Sequence, residues 1–324
     1  MTPLMTADRL TRRFGSKGLF GKGHMVQAVS DVSLTVDRGE AVGLVGESGS
    51  GKSTIGRLML GLLAPSEGQV LLDGTDIGNG GGAAQRRRMQ LVFQDPYASL
   101  DPRRRIGAQI EDGLAIHNIL PKPARRAKVE ALLDQVGLTP AHADRLPHEF
   151  SGGQRQRVGI ARALATGPDF LVADEAVSAL DVSVQAQILA LFADLRTRLG
   201  IGLLFISHDL KVVRSLCDRV IVLYLGRVME EGPARVVLEH PMHPYTQALL
   251  SASPSLDPSK RRVRILLQGD PPSPSNPPSG CVFRTRCPIA IPACAEAVPG
   301  LDEVTPGHRT ACIRVGEAAA LSGG

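Results

Sequence analysis

The stretch Gly46-Glu47-Ser48-Gly49-Ser50-Gly51-Lys52-Ser53-Thr54 keeps the spacing G-x-x-x-x-G-K-[ST], and few folds can present it. Such a loop works between a buried strand and a helix: its N–H groups converge on an anion while the helix N-terminus adds its positive end. The flanks comply, since Ala41–Val45 is a short apolar run suited to a buried strand and Ser53 to Leu63 reads as a helix. Gly46, Gly49 and Gly51 let the backbone curl. Ser48, Ser50 and Thr54 complete the expected phosphate cradle, Lys52 reaches toward the β- and γ-phosphates, and the Ser53 hydroxyl is expected to ligate Mg²⁺.

A loop of this kind needs an acid at the same sheet edge. Phe170-Leu171-Val172-Ala173 followed by Asp174-Glu175 reads as a buried parallel strand that delivers two carboxylates there. Asp174 is expected to hold Mg²⁺, and Glu175, one residue farther out, to polarise the water that attacks the γ-phosphate. Two other apolar runs end at that edge. Met89–Phe93 leads into Gln94, placed to touch Mg²⁺ or the attacking water; Gly202–Ile206 leads into Ser207-His208-Asp209, where His208 could bond the γ-phosphate. Singly, Gln94 and His208 are weak signals.

Around this α/β core the alternation Val32, Leu34, Val36 marks a half-exposed strand over Met25–Val36, so the chain opens with an antiparallel β layer. Phe14, ahead of it, is either one core aromatic or a ring stacked on adenine, and Ser16–Gly23 reads as a flexible loop. Gln69–Leu72 is a short strand with a turn at Asp73-Gly74, followed by a flexible run over Gly78–Gly82. Ile106 to Leu146 turns helical, with Val129, Leu132, Leu133 and Val136 on one face, and reads as an inserted helical subdomain. Phe150-Ser151-Gly152-Gly153-Gln154 then opens a helix over Arg155–Leu164, a second anion site or an ordinary capped helix. A helix over Ser183–Leu199 and a hairpin of Val220–Tyr224 with Arg227–Glu230 follow, and Cys217 reads as a small buried hydrophobe.

At 324 residues and 43% hydrophobic the chain has room for about two domains with cores of their own. It has no apolar run of about 18 residues and no signal-peptide pattern, so neither a membrane span nor secretion is expected. The net charge of +5 could suggest nucleic acid, but 3% aromatic residues leave little for base stacking. The runs Arg86-Arg87-Arg88 and Arg103-Arg104-Arg105 read as solvated surface, and five cysteines without a signal peptide point to a reducing compartment.

The order of these motifs resembles the nucleotide-binding domain of ATP-binding cassette (ABC) transporters over about Met5 to Gly232. The resemblance makes Phe14 the adenine-stacking aromatic, Gly46–Thr54 the Walker A loop and Gln94 the Q-loop. Ser151, Gly152, Gly153 and Gln154 become the signature, Asp174-Glu175 Walker B, Ser178–Asp181 the D-loop, and His208 the switch histidine. Phe150 stands where many cassettes have Leu, and Ala176-Val177 where many have Pro-Thr; neither change touches a phosphate or metal contact. The implied fold is a RecA-like core with an antiparallel β layer and an inserted helical subdomain, with ATP and Mg²⁺ bound. The implied assembly is a dimer that sandwiches two ATP molecules, each between one subunit's P-loop and the other's signature, with Asp181 near the shared site.

The segment from His240 to Leu250, HPMHPYTQALL, resembles ATPase subunits of bacterial oligopeptide, dipeptide and nickel importers, as do Gln94–Arg103 and Val182–Gln187. This implies an ATPase subunit powering peptide import from the cytoplasmic face of the bacterial inner membrane. Its partners would be a second ATPase subunit, two transmembrane permease subunits and an extracytoplasmic solute-binding protein, and not nucleic acid. The alternatives are a nickel or other small-solute importer, or a soluble cassette acting on nucleic acid; the compact segment between P-loop and signature disfavours the latter. Residues 1–235 are then the ATP-binding domain, with the helical subdomain over about 96–154, and 236–324 a small extension with a Pro-rich linker at 254–280.

Cys281, Cys287, Cys294 and Cys312 gather in that extension. Disulfides are disfavoured in a reducing compartment, and the spacings lack the tight pairs of a zinc ribbon. Four thiolates on irregular loops suit an iron–sulfur cubane, whose charge Arg284 and Arg286 would offset. The stretches Cys281–Pro288 and Gly307–Cys312 also resemble the cysteine-rich tail of peptide-importer ATPases, some of which hold a [4Fe–4S] cluster. Cluster, zinc and no metal all stay open.

Overall fold

The computed structural model describes residues 2–15, 25–78, 81–95, 97, 99–252 and 265–321. The loop expected over Ser16–Gly23, Asn79 and Gly80 of the glycine-rich run, Pro96, Ala98 and the start of the expected linker lie outside them.

The chain opens with two long antiparallel strands, β1 (Met5–Phe14) and β2 (Val26–Val36), followed by β3 (Ala41–Val45) and, after the P-loop, helix α1 (Lys52–Met59). β4 (Glu67–Leu72) and β5 (Thr75–Asp76) complete a four-stranded sheet in the order β2-β1-β4-β5, the expected antiparallel layer. Every residue of β3 is buried, as the unbroken apolar run requires of a central parallel strand. α1 ends four residues earlier than its apolar pattern suggests, because Leu60-Gly61-Leu62 turns away with Gly61 at φ +63°. Its Ile55, Leu58 and Met59 are fully buried with Val42, Leu44, Leu204 and Ile206 of the large sheet and Leu10 and Val32 of the small one. At about 1.5–3 kcal/mol for each such side chain, this packing pins the start of α1 between two sheets.

α2 (Ala83–Arg88) and β6 (Met89–Val92) come next. The first arginine run is therefore more than solvated surface. Arg88 bonds both Asp73 and Asp169, and the Arg87 Nε donates to Thr166 O at 3.0 Å, tying α2 to the body. In the second run, Arg104 makes a two-pronged exposed pair with Asp112. α3 (Ile106–Ile116), α4 (Lys122–Gln135) and α5 (Gly152–Leu164) pack together, burying Val129, Leu132, Leu133 and Val136 with Ile106, Ile110 and Leu114. The face read from the sequence is the face that is buried.

β7 (Phe170–Asp174), α6 (Val182–Leu199), β8 (Gly202–Ile206), α7 (Leu210–Leu216), β9 (Arg219–Tyr224) and β10 (Arg227–Pro233) finish the body. Cys217 is buried at the end of α7. α8 (Ala234–Glu239) and α9 (Pro244–Ala252) lead into the C-terminal part, where a 3-10 turn at Pro292–Ala295, β11 (Asp302–Thr305), β12 (His308–Thr310) and α10 (Val315–Leu321) are the described regular elements. The large sheet has eight strands in the order β11-β12-β10-β9-β3-β8-β7-β6, parallel from β9 to β6 and antiparallel beyond β9.

The C-terminal part, expected as an extension beyond a linker, packs closely on the body. β12 pairs with β10 through Glu230↔Thr310, and Tyr245, Val282 and Phe283 sit in the main core. The described half of the expected linker lies against β2, with Gln27 N donating to Pro274 O at 3.2 Å.

Candidate functional site

The P-loop shape is set from outside as much as from within. Gly46 has φ +151°, and a Cβ there would collide with Leu223 O; Gly51 has φ +102°, and a Cβ there would meet Ala28 O. Gly226, at the turn between β9 and β10, donates to Ser50 O at 2.9 Å and accepts from Ser30 N at 2.8 Å, so hairpin and β2 grip the loop together. Lys52 Nζ donates to Gly46 O and Glu47 O, both at 2.8 Å. Burial holds its ammonium below the ordinary lysine range, against the opposing pull of Glu175, Asp174 and Glu47. Ser48 and Gly49 are exposed at the loop tip, and Ser53 and Thr54 lie in the first turn of α1.

The three strand ends meet as expected. Ser53 Oγ donates to Asp174 Oδ1 at 3.0 Å, and burial raises the Asp174 pKa despite that bond. A half-buried carboxylate and a hydroxyl so paired are a hard-oxygen donor set that suits Mg²⁺. Glu175 Oε2 accepts from Gln94 Nε2 at 3.1 Å and lies 3.4 Å from His208 Nδ1. The backbone of Glu175 is left-handed at φ +47°, its N–H donates to Ile206 O at 3.0 Å, and its C=O accepts from Ser178 Oγ at 3.0 Å. A non-glycine residue held this way costs about 1–3 kcal/mol, so its neighbours must over-determine it.

The other sequence candidates stand apart from this cluster. Phe14 ends β1 with the Arg12 guanidinium 4.7 Å from its ring centre. Ser151 caps α5: its Oγ accepts from Gln154 N at 3.3 Å, and Gln154 Oε1 accepts from Ser151 N at 3.0 Å. Those bonds satisfy the helix start and none runs to the P-loop; Ser151 and Gly152 are exposed, while Gly153 is buried where a Cβ would strike Val184. Asp181 caps α6, accepting from Val184 N at 3.4 Å.

Sequence reading missed a second contact to the P-loop. Glu47 N donates to the Tyr245 hydroxyl at 2.8 Å, and the Glu47 carboxylate accepts from Arg286 Nη1 at 2.8 Å across 239 residues of chain. Arg286 also donates to the Tyr224 hydroxyl at 3.3 Å; Tyr245 and Phe283 each meet the Tyr224 ring edge-on and are tilted against each other, with ring centres 4.8–5.3 Å apart. The segment from His240 to Leu250 carries Tyr245 in plain view, but nothing in the sequence pairs it, or Arg286, with Glu47.

Cys281, Cys287, Cys294 and Cys312 all line one cavity, with Phe283, Ile289 and Ile313 around them and Arg284 and Arg314 among the lining residues. Cys281 N donates to Cys294 O at 2.8 Å, which closes the loop. Among the described residues no group of three or more His, Cys, Asp or Glu side chains converges on one metal ion. That counts against a formed zinc site, which draws its sulfurs to about 2.3 Å from one point, and equally against a formed iron–sulfur site. The donor set, four thiols in an apolar pocket beside arginines, suits a cluster; the gap between them, about 20 Å³, has room for no more than a water, so the thiols would have to part to admit a cluster.

Residues 29–178 match the family described as ABC transporter, and residues 229–294 match the one described as oligopeptide/dipeptide transporter, C-terminal region. A Brucella ovis protein named for peptide import and ATP binding is 55% identical over 316 residues, 97% of this chain and 98% of its own. The oligopeptide transport ATP-binding protein AppF of Bacillus subtilis is 51% identical, with 89% of each chain covered. The dipeptide transport ATP-binding protein DppF of Haemophilus influenzae is 48% identical, with 97% of each covered. Among solved structures, cbiO1 of Clostridium perfringens, part of an ABC transporter complex, superposes with a TM-score of 0.65 at 29% identity over 74% of this chain and 92% of that one. The ATP-binding cassette MJ0796, a dimer bound to ADP and phosphate, does so with a TM-score of 0.62 at 30% identity over 71% and 99%.

Proposed function

Because the chain belongs to the ABC transporter family, among its ATP-binding proteins for peptide import, we propose that it hydrolyses ATP to drive peptides through separate membrane subunits. The observation that carries the ATPase reading is the meeting of Gln94, Glu175 and His208 beside the Lys52, Ser53 and Asp174 cradle. Ser53 and Asp174, with Gln94, would hold Mg²⁺, which supplies charge neutralisation across the β- and γ-phosphates. Glu175 takes up the proton of the attacking water, Gln94 keeps its carboxylate aimed, and His208, beside the same Glu175 oxygen, bonds the γ-phosphate. The loop residues Gly46 to Thr54 cradle the phosphates and Phe14 stacks on the adenine. Ser151 and Gly152, which are exposed, serve the ATP of a partner subunit together with Gly153 and Gln154 of the same helix start, whose bonds do not run to the P-loop of their own chain, and with Asp181 nearby. The dimeric assembly of MJ0796 supports that reading.

The division into an ATP-binding domain over 1–235, with a helical subdomain at about 96–154, and an extension over 236–324 is part of the proposal. So is the setting: the cytoplasmic face of the inner membrane, two permease subunits, a second ATPase subunit and an extracytoplasmic solute-binding protein. No helix among the described residues is long and apolar enough to cross a membrane, and the exposed Phe93 and Tyr97 flanking Gln94 offer a permease something to grip. Reconstitution with candidate permease subunits and their binding protein tests it. Peptide raises ATP turnover several-fold if the reading holds; stimulation by nickel and not by peptide would replace it.

The four cysteines are assigned to a structural [4Fe–4S] cluster, supported by their shared apolar cavity and by Arg284 and Arg314 in its lining; Arg286, expected to offset the cluster charge, instead pairs with Glu47. Such a staple would steady a segment with little regular structure of its own. Anaerobic purification is expected to give a brown protein with about four irons and four sulfides per chain. Stoichiometric zinc, or four alkylatable thiols and no metal, would end the assignment.

A further inference from the structure

We propose that Arg286, carried on the cysteine-bearing C-terminal segment, sets the ATP affinity of the P-loop by neutralising the Glu47 carboxylate. The inference rests on the ATP-binding reading of that loop and adds a residue that no motif marks. Glu47 is the second residue of the phosphate cradle, and a carboxylate there faces a ligand that carries several negative charges. Its charge reaches the cradle: Glu47 is one of the three carboxylates acting on the Lys52 ammonium. Every polar group of Glu47 is occupied. Its N–H goes to the Tyr245 hydroxyl, its C=O to Lys52, and its carboxylate to Arg286.

Arg286 is well placed for this role and for little else. Its side chain is 9% exposed, Nη1 serves both Glu47 and the Tyr224 hydroxyl, and Nε is buried without a hydrogen-bond partner. Burial works against its charge, and the bonds to Glu47 and Tyr224 more than restore it. A guanidinium kept this dry is costly unless a carboxylate answers it, so the pair forms as a unit. Its position is fixed by a turn, Arg286 N to Phe283 O at 3.0 Å, and by the packing of Phe283 on Tyr224 and Tyr245. The loop that bears Cys281 and Cys287 thus holds a counter-charge against the nucleotide site.

The test is a charge cycle read by equilibrium ATP binding, with thermal melting of each full-length variant to establish that it folds. Arg286→Gln leaves Glu47 unanswered and is expected to bind ATP about tenfold more weakly, the effect easing as salt is raised. Glu47→Gln removes the loop's own negative charge and is expected to bind ATP several-fold more tightly, at a lower melting temperature because Arg286 then lies buried without a carboxylate. The double variant Glu47→Gln/Arg286→Gln is expected to return to within about twofold of the wild type, and Arg286→Lys to fall between. A contact that only shapes the loop predicts the reverse: both single variants weak, and the double no better. That result in folded protein, or unchanged binding by Arg286→Gln, overturns the proposal while leaving the ATP site standing. A wild-type chain that binds no ATP overturns both.

Discussion

Glu175→Gln is expected to bind ATP at least as tightly as the wild type and to hydrolyse it about 10²–10⁴-fold more slowly. The substitution is close to isosteric, so the left-handed backbone, the N–H bond to Ile206 O and the contact with Gln94 can all persist. What goes is the one carboxylate that Gln94 and His208 both face, and with it the acceptor for the proton of the attacking water. Binding should not suffer, because the cradle of Lys52, Ser53 and Asp174 is untouched and a negative charge beside the phosphates has been removed. Steady-state phosphate release and a separate binding isotherm give the two numbers. Turnover within a few-fold of the wild type would take Glu175 out of the role, and lost binding would mean that it shapes the cradle.

The second large effect is expected at Ser151, and it depends on a trapped state. In a Glu175→Gln background ATP should drive two chains into a stable dimer; adding Ser151→Arg should leave the protein monomeric at the same ATP concentration. Ser151 is exposed and its bonds are spent within its own helix start, so a bulky cation there does little to its own chain beyond the loss of a cap. That loss costs about 1 kcal/mol of stability, which a melting curve separates from failed association. Across a subunit interface the same arginine would block the approach of a phosphate to Gly152 and Gly153. Size-exclusion profiles with and without ATP decide it. If the double variant dimerises as Glu175→Gln does, the signature does not meet ATP in trans.

The elements that carry chemistry were legible because their local signals agree. β3, β7 and β8 are short apolar runs that end on Gly46, on Asp174-Glu175 and on Ser207-His208, so strand type, burial and ligand edge follow from one stretch of sequence each. β1 was not read. Its alternation of Met5, Ala7 and Leu10 is interrupted where Arg9 takes φ +50° and the register with β2 shifts, which erases the period of two. β12 was missed for another reason: it is three residues long, polar in part, and exists only because β10 offers it an edge. Arg88, read as a solvated cation, is claimed by Asp73 in the turn after β4 and by Asp169 just ahead of β7. The pairing of Glu47 with Arg286 joins residues 239 apart, and no local pattern encodes a contact of that span.

The pairing of β12 with β10 also orders events in time. On a ribosome the parallel strands from β6 to β9 can assemble as soon as β9 emerges, but β10 then presents a bare row of N–H and C=O groups. That edge stays open while some seventy-eight further residues are made, until Arg309 and Thr310 arrive opposite Glu231 and Glu230. An unpaired edge is a template for other chains, and its danger grows with the interval. The nascent protein is then expected to pass through a stage in which the ATP-binding sheet is complete on its catalytic side and adhesive on the other, and β12, the last strand among the described residues, brings that stage to an end.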